Sequence, residues 1–153
     1  MRQRVLIVDN EPSDIELLKQ YLTNMDAEIR DLTDSRKVEQ VFAEFEPDIV
    51  LLDLHMPEKD GFEVLRSLRG VRSGLGFLPV IVLTADKERS ARNRALVLGA
   101  DDFLTKPLDR DEVRLRVRNL LNTRRLHVEL AEYVEALERR TGPGDANLPK
   151  LNV

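Results

Sequence analysis

Ile49-Val50-Leu51-Leu52-Asp53 runs directly into Leu54-His55-Met56-Pro57-Glu58-Lys59-Asp60-Gly61. Four branched apolar residues in a row show no polar alternation. Such a run reads as a strand buried on both faces, as in a parallel sheet. The Pro/Gly turn that follows ends it. Asp53 is therefore expected where a buried strand meets a turn, at the carboxyl edge of the sheet. Open α/β folds keep their ligand crevice outside that edge.

Working outward, two more runs have the same character. Val5-Leu6-Ile7-Val8 ends in Asp9-Asn10-Glu11-Pro12, and Val80-Ile81-Val82-Leu83 ends in Thr84. Glu28 to Leu32 reads as a half-exposed strand, and Phe103-Leu104-Thr105 as a short one ended by Lys106-Pro107. Between them lie helical patterns. Ile15, Leu18, Leu22 and Met25 share one face of a helix capped by Ser13 or Asp14. Val38, Val41, Phe42 and Phe45 face inward from a helix that starts at Thr33, Asp34 or Ser35 and stops at Pro47. Phe62, Leu65 and Leu68 mark a third helix, followed by a glycine-bearing loop from Gly70 to Gly76. A fourth runs from about Lys87 to Leu98, with Gly99 as a C′ residue. Asp109 caps a fifth, facing inward with Val113, Val117 and Leu120. Strands and helices thus alternate five times, which predicts a doubly wound, flavodoxin-like five-stranded parallel sheet covered on both faces.

Composition agrees. The chain has 153 residues, 42% hydrophobic and 34% charged, enough for one buried core plus a short extension. A net charge of −4 gives no general affinity for nucleic acid. The absence of cysteine excludes disulfides and thiolate metal sites. The apolar run after Met1-Arg2-Gln3-Arg4 is too short for a signal-peptide core or a membrane span. The expectation is a soluble, cytoplasmic protein with no membrane and no direct nucleic-acid partner.

In a parallel sheet, strand ends one, three, four and five lie on one edge. Asp9-Asn10, Asp53, Thr84 and Lys106 would meet there. Close carboxylates repel unless a cation joins them, and hard oxygen ligands with open water positions suit Mg²⁺. A metal, an ammonium and a hydroxyl around one carboxylate are what phosphoryl transfer to that carboxylate needs, because charge on the phosphoryl oxygens must be clamped.

These pieces resemble a receiver domain of a two-component response regulator. The matching motifs are Val8-Asp9-Asn10-Glu11-Pro12, Leu51-Leu52-Asp53-Leu54-His55-Met56-Pro57, Asp60-Gly61, Leu83-Thr84-Ala85, Leu98-Gly99-Ala100-Asp101-Asp102 and Phe103-Leu104-Thr105-Lys106-Pro107. They run from about Arg4 to Asn122. The resemblance implies that Asp53 accepts a phosphoryl group from a sensor histidine kinase or phosphotransfer protein. It implies that Asp9, Asn10, Asp53 and the backbone carbonyl of His55 hold Mg²⁺. Thr84 would bind a phosphoryl oxygen, Phe103 would be the switch aromatic, and Lys106, before a cis Pro107, would pair with the phosphoryl group. One position departs from the family pattern: Asn10 stands where a second acidic residue is usual. Its amide oxygen ligates without charge, so either Asn10 or Glu11 completes the metal site. The same feature keeps open a phosphorylation-independent pseudo-receiver. A phosphatase with an aspartyl-phosphate intermediate fits less well, since position 55 is His where such enzymes carry a second Asp.

No proline or glycine interrupts Arg110 to Thr141. Leu126, Leu130, Tyr133 and Leu137 are spaced four, three, four, a coiled-coil seam that predicts a homodimer through the C-terminal helix. The arginines at 110, 114, 116, 118, 124 and 125 are interleaved with acids and read as a solvated face. His55 and His127 read as solvated too. The expected organisation is a receiver over 1–122, a helical extension over 123–141 and a flexible tail over 142–153, with no enzymatic output domain. Arg116-Val117-Arg118-Asn119-Leu120-Leu121 with Arg124-Arg125-Leu126 is similar to the linker of HD-GYP-type cyclic-di-nucleotide phosphodiesterase regulators.

Overall fold

The structure, a computed structural model, describes residues 2–70, 77–85 and 89–141. Five strands are present: β1 (Gln3–Val8), β2 (Ala27–Leu32), β3 (Ile49–Asp53), β4 (Val80–Thr84) and β5 (Asp102–Thr105). Five helices alternate with them: α1 (Pro12–Tyr21), α2 (Val38–Phe45), α3 (Gly61–Gly70), α4 (Arg89–Val97) and α5 (Arg110–Thr141). The strands form one parallel sheet in the order β2-β1-β3-β4-β5. This is the flavodoxin-like doubly wound arrangement expected. The chain reverses its winding between β1 and β3, so a crevice opens outside their carboxyl ends.

Burial explains the unbroken apolar runs. Val5, Ile7, Ile49, Leu51, Ile81 and Leu83 pack on one side with Ile15 and Leu18 of α1 and Val113 and Val117 of α5. Leu6, Val8, Val50, Leu52, Val80 and Val82 pack on the other with residues of α2, α3 and α4. Every residue of β3 and β4 is buried. Fully burying one such branched side chain is worth about 1.5–3 kcal/mol, so β3 and β4 are apolar until their last residues, the buried Asp53 and Thr84.

The local expectations hold with four corrections. First, α1 is capped by neither Ser13 nor Asp14. Its N-cap is Glu11, with no side-chain hydrogen bond there and Pro12 in the first turn. Proline suits that position because the N–H it lacks has no partner within the helix anyway. Second, α1 ends at Tyr21 with Leu22 as its C-cap, so Met25 lies beyond the helix although it packs against the same core; Asp34 does start the next helical stretch, capping a 3₁₀ turn over Ser35–Lys37 that precedes α2. Third, the buried position on α5 is Leu121, while Leu120 is only partly buried. Gly99 does end α4 in a left-handed conformation, φ 105°. The Gly70–Gly76 loop beyond Gly70, the expected start of α4 at Lys87 and the tail 142–153 lie outside the described residues.

The fourth correction concerns α5, 32 residues long and thus about 48 Å from end to end. Arg124, expected in solvent, is 8% exposed. Its Nη1 donates to the carbonyl of Phe77 at 2.6 Å, and its Nε lies 3.6 Å from Asp48 Oδ1. His127 is exposed but sets its ring 4.9 Å from that of Phe77. These contacts fasten α5 to the entry ends of β3 and β4, opposite the crevice. Beyond them Leu126, Leu130 and Tyr133 are 57%, 52% and 55% exposed. Among the described residues no helix is long and apolar enough to cross a membrane.

Candidate functional site

Register brings the expected residues together. Val8 pairs with Leu52, so Asp9 follows β1 beside Asp53 at the end of β3. Asp53 pairs with Leu83 and Thr84 with Thr105, which puts Thr84 and Lys106 on the same edge. Asp9, Asp53 and Thr84 are all buried. The Lys106–Pro107 peptide is cis, as the resemblance implied.

Lys106 reaches back across the crevice. Its Nζ lies 3.0 Å from Asp9 Oδ2, 2.9 Å from Asp14 Oδ2 and 3.5 Å from Asp53 Oδ2. Burial alone would lower its pKa, but the hydrogen bond to Asp14 and the charges of Asp53 and Asp9 outweigh this and raise it. Burial pushes the Asp53 carboxyl up to about 6, and Asp9 adds to the push. The His55 N–H, which donates to Asp53 Oδ1 at 3.1 Å, and Lys106 pull the other way. Asp9 Oδ1 accepts from the Glu11 N–H at 2.9 Å. That bond fixes the turn from β1 into α1.

Asn10 closes the cluster. With its amide nitrogen turned inward it donates to the His55 carbonyl at 3.1 Å and to Asp53 Oδ2 at 3.0 Å; the opposite orientation would set its oxygen against acceptors alone. Two oxygen acceptors therefore converge on one point next to the buried carboxylate of Asp9. That donor set fits a hard cation such as Mg²⁺. Among the described residues no three His, Cys, Asp or Glu side chains gather for a metal. A cation here would lean on two carboxylates, a backbone carbonyl and an uncharged amide. The imidazole of His55 is exposed, as expected.

The wall of the site is tightly made. A Cβ on Gly61 would lie 2.5 Å from the Asp53 carbonyl oxygen and 2.5 Å from Leu54 Cα, so only glycine lets α3 start this close. Asp60 caps α3 by accepting from the Phe62 N–H at 2.8 Å. Phe103 is partly buried against the core. Arg92 of α4 stacks 4.7 Å from its ring and donates to Thr105 Oγ1 at 3.0 Å.

Two participants escaped the sequence reading. Asp14 looked like a helix cap, yet it binds Lys106. Arg92 was one of several arginines on α4, yet it covers Phe103. The signal for Asp14 was its place one turn into a helix that begins at the sheet edge. Nothing in the sequence singled out Arg92.

A carboxylate at a sheet edge, held by an ammonium beside a cation-ready oxygen cluster, is the arrangement of a phosphoacceptor module. Residues 5–118 match the response regulator receiver domain, and the chain belongs to that family. The family's receiver domains are signalling modules of two-component systems rather than enzymes. The chain is 34% identical over 117 residues to the transcriptional regulatory protein GltR of Pseudomonas aeruginosa, covering 76% of this chain and 48% of that one. It is 37% identical over 142 residues to the response regulator PleD of Caulobacter vibrioides, covering 93% of this chain and 31% of that one. The chain thus spans about half or less of these relatives. Among solved structures, the BeF3-activated N-terminal receiver domain of Klebsiella pneumoniae RstA superposes with a TM-score of 0.71 at 29% identity, over 78% of this chain and 98% of that one.

Proposed function

We propose that Asp53 is the phosphoacceptor of a two-component phosphorelay, with a histidine kinase or phosphotransfer protein as donor. The observation that carries this is the Lys106 ammonium held between the buried carboxylates of Asp9 and Asp53. An Asp53 carboxylate oxygen attacks the phosphorus of a phosphohistidine. The P–N bond breaks, its electron pair goes to the imidazole nitrogen, which takes up a proton, and an aspartyl phosphate forms. Lys106 neutralises charge on the phosphoryl oxygens, and the Thr84 hydroxyl turns toward them. Asp9, Asn10, Asp53 and the His55 carbonyl would hold Mg²⁺, which supplies further positive charge to those oxygens when bound. Incubation with acetyl phosphate and Mg²⁺ should add one phosphate mass to the chain, and Asp53→Asn should abolish it. Labelling of the variant at the wild-type level would overturn the assignment.

We assign the receiver to 1–122, a helical extension to 123–141 and a tail to 142–153, in a cytoplasmic protein that does not bind nucleic acid directly. Movement of Thr84 frees space into which the Phe103 ring turns, and phosphorylation so biases a two-state surface on α4, β5 and α5. The exposed stripe of Leu126, Leu130 and Tyr133, continued by Leu137, pairs two copies and passes the state along α5. The linker's likeness to HD-GYP regulators makes a cyclic-di-nucleotide phosphodiesterase one output of that kind. The second reading is a phosphorylation-independent dimerisation module. One observation favours it: turned inward, the Asn10 amide donates to the His55 carbonyl and Asp53 Oδ2, two of the oxygens that a cation would use. The same labelling experiment separates the two, since a module of that sort takes no phosphate even at saturating Mg²⁺.

A further inference from the structure

The shortest ion-pair contact of Lys106 is one that the proposed chemistry does not need. Lys106 Nζ is closest to Asp14, at 2.9 Å, and farthest, at 3.5 Å, from Asp53. An acid in the first turn of a helix ordinarily faces the helix's own N–H groups or solvent. Here Glu11 is the N-cap, and the Asp14 side chain instead crosses to a residue 92 positions away in the chain. An ammonium has three N–H donors. The two short contacts go to Asp14 and Asp9, and the long one faces the carboxylate that would carry the phosphate.

We propose that Asp14 is a positioning residue for phosphoryl transfer: it parks Lys106 away from Asp53 in the unphosphorylated state and so slows phosphorylation. The proposal rests on the reading of Asp53 as phosphoacceptor. Asp9 also holds Lys106, but Asp9 is fully buried and belongs to the cation cluster. Asp14 stands on α1 with its side chain 27% exposed, and it acts on Asp53 through the lysine. A phosphoryl group arriving at Asp53 brings charge that draws the ammonium forward. The bond to Asp14 must then lengthen, and its carboxylate opposes that motion at the moment charge develops on the phosphoryl oxygens.

Asp14→Asn keeps the shape and an acceptor but removes the charge. The rate of labelling by acetyl phosphate with Mg²⁺ should rise about two- to five-fold, the range that a partly exposed ion pair spans. Asp14→Glu keeps the charge and should label at the wild-type rate. Added salt should narrow the gap between wild type and Asp14→Asn, because screening weakens the pair. A merely structural role predicts slower labelling in both variants and no such salt dependence. Equal or slower labelling of Asp14→Asn overturns the proposal. If the wild-type chain takes no phosphate, the reading of Asp53 fails and the kinetic role falls with it. The parked contact is then judged separately: the Lys106 side-chain NMR signals should move in Asp14→Asn and stay in place in Asp14→Glu, and unmoved signals in Asp14→Asn show that the contact is absent.

Discussion

With its amide turned inward, the orientation that satisfies both of its polar atoms, Asn10 sets its nitrogen 3.0 Å from Asp53 Oδ2 and 3.1 Å from the His55 carbonyl oxygen. One neutral donor thus satisfies two oxygens that the family resemblance gives to a metal. A divalent ion entering this cluster must displace that donor and turn the amide so that its oxygen faces the ion. It also gains one charge fewer than a second carboxylate would offer.

Asn10→Asp should therefore tighten Mg²⁺ binding, by ~1–4 kcal/mol for one added charge near the ion in a partly screened cleft. Calorimetric titration of the unphosphorylated chain measures this directly. Equal or weaker binding would show that Glu11 or the spacing of the oxygens governs the site.

The raised Asp53 carboxyl predicts how stability depends on pH in the presence of a chelator. Unfolded, this group ionises near ~4; folded, burial holds it at about 6. The folded chain therefore binds the proton more tightly. Its stabilising contribution is complete below pH ~4 and is lost as pH rises through about 6. Asp53→Asn removes the loss. Urea denaturation should find the variant more stable than wild type by about 2 kcal/mol near pH 8, with the gap closing toward pH ~4. A constant gap across that range would show that charge at Asp53 is not its cause.

Gly61→Ala should destabilise the chain by about 1–3 kcal/mol, the usual penalty for forcing a methyl group into a filled space. The atoms that the methyl would meet are backbone, the Asp53 oxygen and Leu54 Cα, so no side chain can swing aside. A urea midpoint equal to that of wild type would refute this. Because the clash displaces the peptide after Asp53, labelling by acetyl phosphate should slow as well.

Self-association through α5 is tested on the full-length chain, so that Arg124 and His127 keep their seat. Leu126 and Leu130, 57% and 52% exposed, gain about 1–1.5 kcal/mol each when the exposed half is buried between two copies. Sedimentation equilibrium should find a dimer, and Leu126→Glu with Leu130→Glu should give a monomer. A dimer that survives both substitutions would place the interface elsewhere.

How much of this was legible depended on whether one element or two supplied the cause. The runs in β1, β3 and β4 announce strands because both faces of each are buried, and a strand end is a position that sequence marks well. Asp9, Asp53, Thr84 and Lys106 were found that way. Asp14 was not, because a short acid at a helix start reads as a cap unless the distant lysine is known to arrive there. Arg124 was missed for the same kind of reason. Its burial comes from the carbonyl of Phe77, 47 residues away, and from Asp48, while its sequence neighbours are charged. Leu120 was preferred to Leu121 because helical periodicity leaves adjacent positions hard to separate near the edge of an apolar stripe.

The seat of Arg124 has a mechanical consequence. Past the His127 contact α5 runs on to Thr141, about 21 Å at 1.5 Å per residue. A beam fixed at one end magnifies whatever its mounting does. A tilt of about 10° at Phe77 would sweep the far end through roughly 4 Å, less than one helical pitch of about 5.4 Å. Asp48 directly precedes β3 and Phe77 lies three residues before β4, strands whose last residues are Asp53 and Thr84. Those two strands join the crevice to the mounting of the beam, so their stiffness bears on how much of a displacement at one end would arrive at the other.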